Sequence, residues 1–199
     1  KKPKKVSLIF EDEVGKNMFF GIIGNSLNKF FHRINMDSLS AGSLANLASL
    51  SLQVPELEKI ILIPDGDVKG HTKKSKNLVF LPGNLRPETL LHECLKNLPE
   101  ADLFWRECPA TGYTKQVAII KPGEVPSGSK EAKAWYKDWY KEQSKFWGRT
   151  NKIAFSKWAD TNKDLCKQFC HEFLKVLRRV SSDEAIPKEK TESILKKYC

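Results

Sequence analysis

The sequence lacks the features of a membrane span, a disulfide scaffold or a phosphate-binding loop. No stretch approaches the roughly 18 uninterrupted apolar residues that a membrane helix needs. The opening residues, Lys1-Lys2-Pro3-Lys4-Lys5, hold no apolar run of signal-peptide type. No Met stands at the start, so a piece of a longer protein is expected. GxxxxGK followed by Ser or Thr is absent, and with it that route to binding ATP. The five cysteines are odd in number and form no CxxC pair. That argues against a disulfide framework and favours a reducing, cytoplasmic compartment. Cys166, Cys170 and His171 fall within six residues of a helical pattern, as zinc ligands or as buried thiols on an amphipathic helix.

Positive charge is what the chain has in excess. It carries 34 Lys and Arg against 24 Asp and Glu, a net +10 over 199 residues. Residues 130–180 alone hold +7 of that balance. Charge gathered in this way raises the local concentration of polyanions, nucleic acid foremost, unless it is only a solvated helical face.

Apolar runs mark short buried strands at Val6-Ser7-Leu8-Ile9-Phe10, at Lys59-Ile60-Ile61-Leu62-Ile63-Pro64 and at Leu78-Val79-Phe80-Leu81. Gln116-Val117-Ala118-Ile119-Ile120 reads as a fourth. Helices are expected over residues 14–31, across 34–53 with Pro55 as its stop, and over 87–98 behind Pro87. Further helices are expected over 130–147, 156–180 and 188–198, with loops over 68–76 and 121–129. Strands alternating with helices predict an α/β fold with a parallel sheet. The expected organisation is an α/β domain over 1–120, a linker over 121–129 and a basic helical region over 130–199.

Acids follow the strands. Glu11 stands after the first, Asp65 and Asp67 after the second, and Glu88 shortly after the third. In open α/β sheets function gathers at the carboxyl ends of the strands. Carboxylates sharing one rim repel unless a hard cation lies between them, and Mg²⁺ suits oxygen ligands of this kind. The plain alternative for Asp65-Gly66-Asp67 is a turn.

Leu8-Ile9-Phe10-Glu11 followed by Ile61-Leu62-Ile63-Pro64-Asp65-Gly66-Asp67 resembles the Toprim domain of topoisomerases, primases and the nucleases of the overcoming-lysogenization-defect (OLD) family. The stretch Phe80-Leu81-Pro82-Gly83-Asn84-Leu85-Arg86-Pro87-Glu88 is similar to the segment of ATPase-linked Toprim nucleases in which a further metal-binding acid follows a proline. The resemblance implies a Rossmann-like Toprim fold over roughly residues 4–120. It implies a DNA endonuclease using two Mg²⁺ or Mn²⁺ ions held by Glu11, Asp65, Asp67 and Glu88. A lysine beyond the acids would stabilise charge at the scissile phosphate, with Lys152 the first choice and Lys157 the next. An ATPase domain missing from this chain, antiviral defence and a homo-oligomer or defence partner are implied as well. Two departures stand out: Asp12 follows Glu11 where many Toprim domains have Gly, and Gly15 stands where an acid is common, so either Asp12 or Glu13 substitutes or one metal position is weaker.

Lys133, Lys137, Lys141 and Lys145 recur every four residues and line one helical face. Trp135, Tyr136, Trp139 and Tyr140 line another. Either the aromatics are core and the lysines its wet side, or the lysines track a phosphate backbone while an edge aromatic stacks on a splayed base. Rival readings of the whole are a non-catalytic Toprim-like module that binds nucleic acid or a partner, and a response-regulator receiver domain with Asp65 as phosphoacceptor. Asp12 and Asp65 are 53 residues apart, and no Met-Pro follows Asp65, which counts against the receiver. A calcium loop starting at Asp65 fails, because Lys69 and Lys76 occupy ligand positions.

Overall fold

A computed structural model describes residues 6–24, 27–35, 41–51, 53, 59–70, 75–148, 151–181 and 187–198. Its centre is a parallel sheet in the order β2-β1-β3, with β1 at Val6–Phe10, β2 at Phe31–Asn35 and β3 at Ile60–Ile63. The run at 78–81 lies extended beside β3. Val79 N–H donates to Leu62 O at 3.0 Å and Leu81 N–H to Pro64 O at 3.0 Å, and Leu78 bridges Leu62 in parallel. Side chains alternate across this sheet as strand geometry requires. Leu8, Phe10, Ile61, Ile63, Val79 and Leu81 enter the main core, whereas Ile9, Leu62, Leu78 and Phe80 pack on the opposite face with Leu44. Leu44 belongs to α2, Ala41–Ser51. The expected stop at Pro55 and part of the 68–76 loop lie outside the described residues.

Helices supply the rest: α1 at Glu13–Ile23, α3 at Pro87–Asn97, a short α4 at Phe104–Glu107, α5 at Ser129–Gln143, α6 at Lys152–Thr161, α7 at Lys163–Val180 and α8 at Lys188–Lys196. Among the described residues no helix is long and apolar enough to cross a membrane. The chain is a mixed α/β protein with a small parallel sheet and many helices.

Three expectations are corrected. The helix expected through residue 31 ends at Gly24, whose φ of 74° is open to glycine and lets its N–H cap Phe20 O. The chain then turns and Phe31–Asn35 adds to the sheet beside β1. The strand expected at 116–120 is a turn of π-helix. A run of four apolar residues, Val117 to Ile120, reads alike in a strand and in a helical turn, and here Ala118 O is held by the Trp139 indole N–H at 2.7 Å. The helix expected over 156–180 is two. Asn162 leaves helical geometry at φ −127° and ψ 45°, and its side-chain amide donates back to Trp158 O at 2.9 Å.

The sheet and the carboxyl-terminal helices share one apolar core. Phe19 of α1 meets Phe10 at 5.3 Å and Phe173 of α7 at 4.9 Å between ring centroids. Cys166 and Cys170 are buried in it on α7 while His171 faces solvent, the buried-thiol arrangement. Helix α1 crosses α6 at Gly21, where a Cβ would stand 2.5 Å from that of Phe155. Gly21→Val is therefore expected to force the two helices apart and cost about 1–3 kcal/mol, the usual range for overpacking. Urea denaturation checks it, and an unchanged midpoint would contradict the close crossing.

Candidate functional site

The loops after β1 and β3 and the first turns of α1 and α3 converge. Glu11 follows β1 directly, and Asp12 caps α1, its Oδ1 accepting Gly15 N–H at 2.9 Å. Asp65 leaves β3 into a tight turn, Gly66–Val68, and its backbone N–H bonds the Glu11 carboxylate. Gly66 is required by space: a Cβ there would stand 2.5 Å from Gly83 O and 2.7 Å from Leu81 O. The 81–83 segment thus runs directly against the Asp-Gly-Asp turn and leads to Pro87 and Glu88 in the first turn of α3.

Of the four acids expected to hold metal, two are nearly sealed: Asp65 is 5% exposed and Glu88 2%. Three buried oxygens, Glu11 Oε2, Asp65 Oδ1 and Glu88 Oε2, have no hydrogen-bond partner. Burial pushes the Asp65 carboxyl well above the usual range, and the charges of Asp12, Glu11, Glu88 and Asp67 push it further. Burial also raises Glu11, against the Asp65 N–H, and Glu88, against its own backbone N–H. Asp67 differs, because Arg86 Nε donates to its Oδ2 at 3.2 Å. Its charge still reaches Glu11 and Asp65, so all four acids belong to one electrostatic cluster.

The departures from the Toprim pattern take a physical form here. A Cβ on Gly15 would lie 2.9 Å from Asp65 Oδ1, so a longer side chain has no room. Asp12 acts on Glu11, Asp65 and Glu88 by charge, whereas Glu13 is exposed and ion-paired with Lys16. Of the two, Asp12 is the acid whose charge is felt across this rim.

Lys152 Nζ lies over the Phe20 ring, 5.7 Å from its centroid, and that ring stands 6.1 Å from the ring of Phe10, the residue before Glu11. Lys157 is paired with Asp102 at 2.7 Å. Arg86 and Lys137 both act on Glu88 by charge, so one member of the lysine stripe faces the acids. Lys133, Lys137 and Lys141 are exposed on α5 and Lys145 on the 3-10 turn that follows it, Ser144–Phe146, while Trp139 and Tyr140 are buried.

Sequence reasoning missed Arg86 as a partner of Asp67, and it missed His92. His92 lies one turn beyond Glu88 on α3 and is ringed by Trp135, Tyr136 and Trp139, 4.9–5.4 Å away between centroids. Burial pulls its pKa down to about 4, so it is neutral at pH 7. The i, i+4 spacing from Glu88 was the available signal.

An all-oxygen donor set with three orphaned buried carboxylate oxygens fits a hard divalent cation. As they stand, no three carboxylate, imidazole or thiol groups among the described residues are drawn together closely enough to clasp one. No protein-family model, no curated protein and no solved structure matches the chain.

Proposed function

We propose that this chain is a divalent-metal-dependent nuclease of Toprim type that hydrolyses phosphodiester bonds, with DNA as the favoured substrate. The observation that carries the reading is the group of three buried, unpartnered carboxylate oxygens at the ends of β1 and β3 and the start of α3. Isolated buried charge is costly, and a structure keeps it where a cation or a reaction repays the cost. Glu11 and Asp65 are the central ligands in this reading, with Asp67 and Glu88 outside them. Mg²⁺ or Mn²⁺ bound there supplies an activated water and stabilises charge on the attacking and leaving oxygens.

The residues of the chain do the rest. Arg86 fixes Asp67 and adds positive charge at the rim for an anionic substrate. Lys137 joins Lys152 as a lysine that can meet a phosphate, since its charge already acts on Glu88. Burial of Asp65 keeps bulk water off the carboxylate that most needs a counter-charge. As the nuclease portion of an ATPase-linked antiviral defence protein, the chain would draw its regulation from a domain outside it.

A second reading is favoured by one observation: the acids do not converge on a single point among the described residues. A non-catalytic module that binds nucleic acid through α5 would leave them in that state. Incubation of supercoiled and linear DNA with the protein and Mg²⁺ or Mn²⁺, beside Asp65→Ala, separates the two. Metal-dependent cutting lost in the variant is the expected result. Neither cutting nor calorimetric metal binding would overturn the nuclease in favour of the module.

A further inference from the structure

We infer that the acidic site takes one divalent ion, not two, and that the Arg86 guanidinium meets the scissile phosphate in place of the second. The inference rests on the nuclease reading and sets the number of ions that it uses.

The count follows from which carboxylates are free. Three buried oxygens have no partner, one each from Glu11, Asp65 and Glu88, and Asp65 and Glu88 are nearly sealed. They come from three separate elements, the end of β1, the end of β3 and the first turn of α3. A few carboxylates completed by water are the usual complement of one Mg²⁺. A second ion needs further acids, and the neighbouring ones are engaged. Asp12 Oδ1 accepts the Gly15 N–H, Glu13 is exposed and paired with Lys16, and Asp67 Oδ2 is held by Arg86. No acid fits at Gly15 either, since a Cβ there would stand 2.9 Å from Asp65 Oδ1.

Arg86 stands where a second cation would be needed. It directly precedes Pro87 at the start of α3, and its side chain caps nothing there. A cation at a helix N-terminus faces the positive end of the dipole, so the helix itself does not call for it. The acids do. Nε donates to Asp67 Oδ2 at 3.2 Å, and the charge acts on Glu11 and Glu88 as well. The strongest charges acting on Asp65, by contrast, are all negative. One flank of the cluster has a cation built in, and the other lacks one.

Arg86 is also open to a substrate. The Arg86 and Asp67 side chains are 31% and 25% exposed, and among the described residues the two Nη atoms make no hydrogen bond. With Nε fixed, they present a planar fork that suits two oxygens of a phosphate. In hydrolysis the oxygen of water bonds to phosphorus while the bond from phosphorus to the leaving sugar oxygen breaks, and that oxygen keeps the electron pair. The proton released by water returns to the leaving oxygen through solvent. Arg86 keeps its own protons and meets the charge that builds on the non-bridging oxygens.

The test counts ions and follows Arg86→Met. Calorimetric titration of the unaltered protein with Mn²⁺, without substrate, is expected to give one ion per chain. Arg86→Met removes a positive charge beside the acids, so Mn²⁺ should bind it several-fold tighter. Cleavage of linear DNA by the same variant should fall about 100–1000-fold at saturating Mn²⁺, in kcat rather than KM. A salt bridge that only held the loops together would weaken ion binding and cleavage alike, so the opposite signs distinguish the role. Arg86→Lys keeps the charge without the fork and should recover only part of the loss. Melting curves confirm that the variants are folded, and the ion count in the unaltered protein decides the matter if they are not. Two ions per chain with cleavage would keep the nuclease and overturn the inference, as would an Arg86→Met that cuts normally. Neither Mn²⁺ binding nor cleavage by the unaltered protein would remove the nuclease and the inference with it.

Discussion

Asp65→Asn is expected to abolish metal-dependent cleavage and, in the same molecule, to raise the melting temperature of the metal-free protein. The two effects have one cause. Asp65 is 5% exposed, its Oδ1 has no partner, and four neighbouring carboxylates oppose its ionisation. The asparagine keeps the shape and removes the charge. Relief of even part of that repulsion is worth about 1 kcal/mol or more, which for a chain of this size is about 2–4 °C. Cleavage should fall by about three orders of magnitude, because the lost metal contact accounts for several kcal/mol of transition-state stabilisation. Parallel activity assays and thermal melts check both halves. A variant that cuts normally, or that melts below the unaltered protein, would remove Asp65 from the centre of the site.

The second expectation concerns pH. Asp65, Glu11 and Glu88 all have folded pKa values raised above their ordinary ones. For such acids the stabilising share is complete below the unfolded pKa, near 4, and is lost as pH rises through the folded value. His92 works in the opposite sense. Its pKa falls to about 4, so it withdraws stability as pH drops below its ordinary 6.5. A melt of one protein against pH mixes these slopes, but a difference between two proteins does not. The advantage of Asp65→Asn over the unaltered chain should be nearly absent close to pH 4 and grow as pH rises through the raised Asp65 value. Added Mn²⁺ should erase that advantage at alkaline pH by stabilising only the chain that retains the carboxylate. Difference curves flat across pH would mean that Asp65 is not the strained acid.

What could be read in advance divides by range of interaction. Ile61, Leu62 and Ile63 are uninterrupted because β3 is covered on both faces, and such runs are plain to see. Phe31–Asn35 holds only two apolar residues, Phe31 and Ile34, out of strict alternation, and follows a helix closely, so its membership in the sheet depends on β1 being there to pair with. The conformation of the 116–120 run goes with a contact 21 residues away in the chain, the Trp139 indole N–H on Ala118 O. The acids after the strands were visible for a local reason, since strand ends in α/β folds collect function. The pairing of Arg86 with Asp67 and the reach of Lys137 to Glu88 come from the way α3 packs beside α5 and the β3 turn, which no local pattern reports, whereas His92 stood at a readable i, i+4 spacing from Glu88.

The contact at Gly66 bears on how such a site could drift over generations. With Gly83 O and Leu81 O pressed into the space of a missing Cβ, the turn that bears Asp65 and Asp67 and the segment leading to Glu88 fit like a key in its ward. A one-residue insertion or deletion in either loop would shift the register of both. Variation is therefore expected to pass around this joint, in the outward residues of α5 and in the 121–129 segment, while the two loops keep their lengths together.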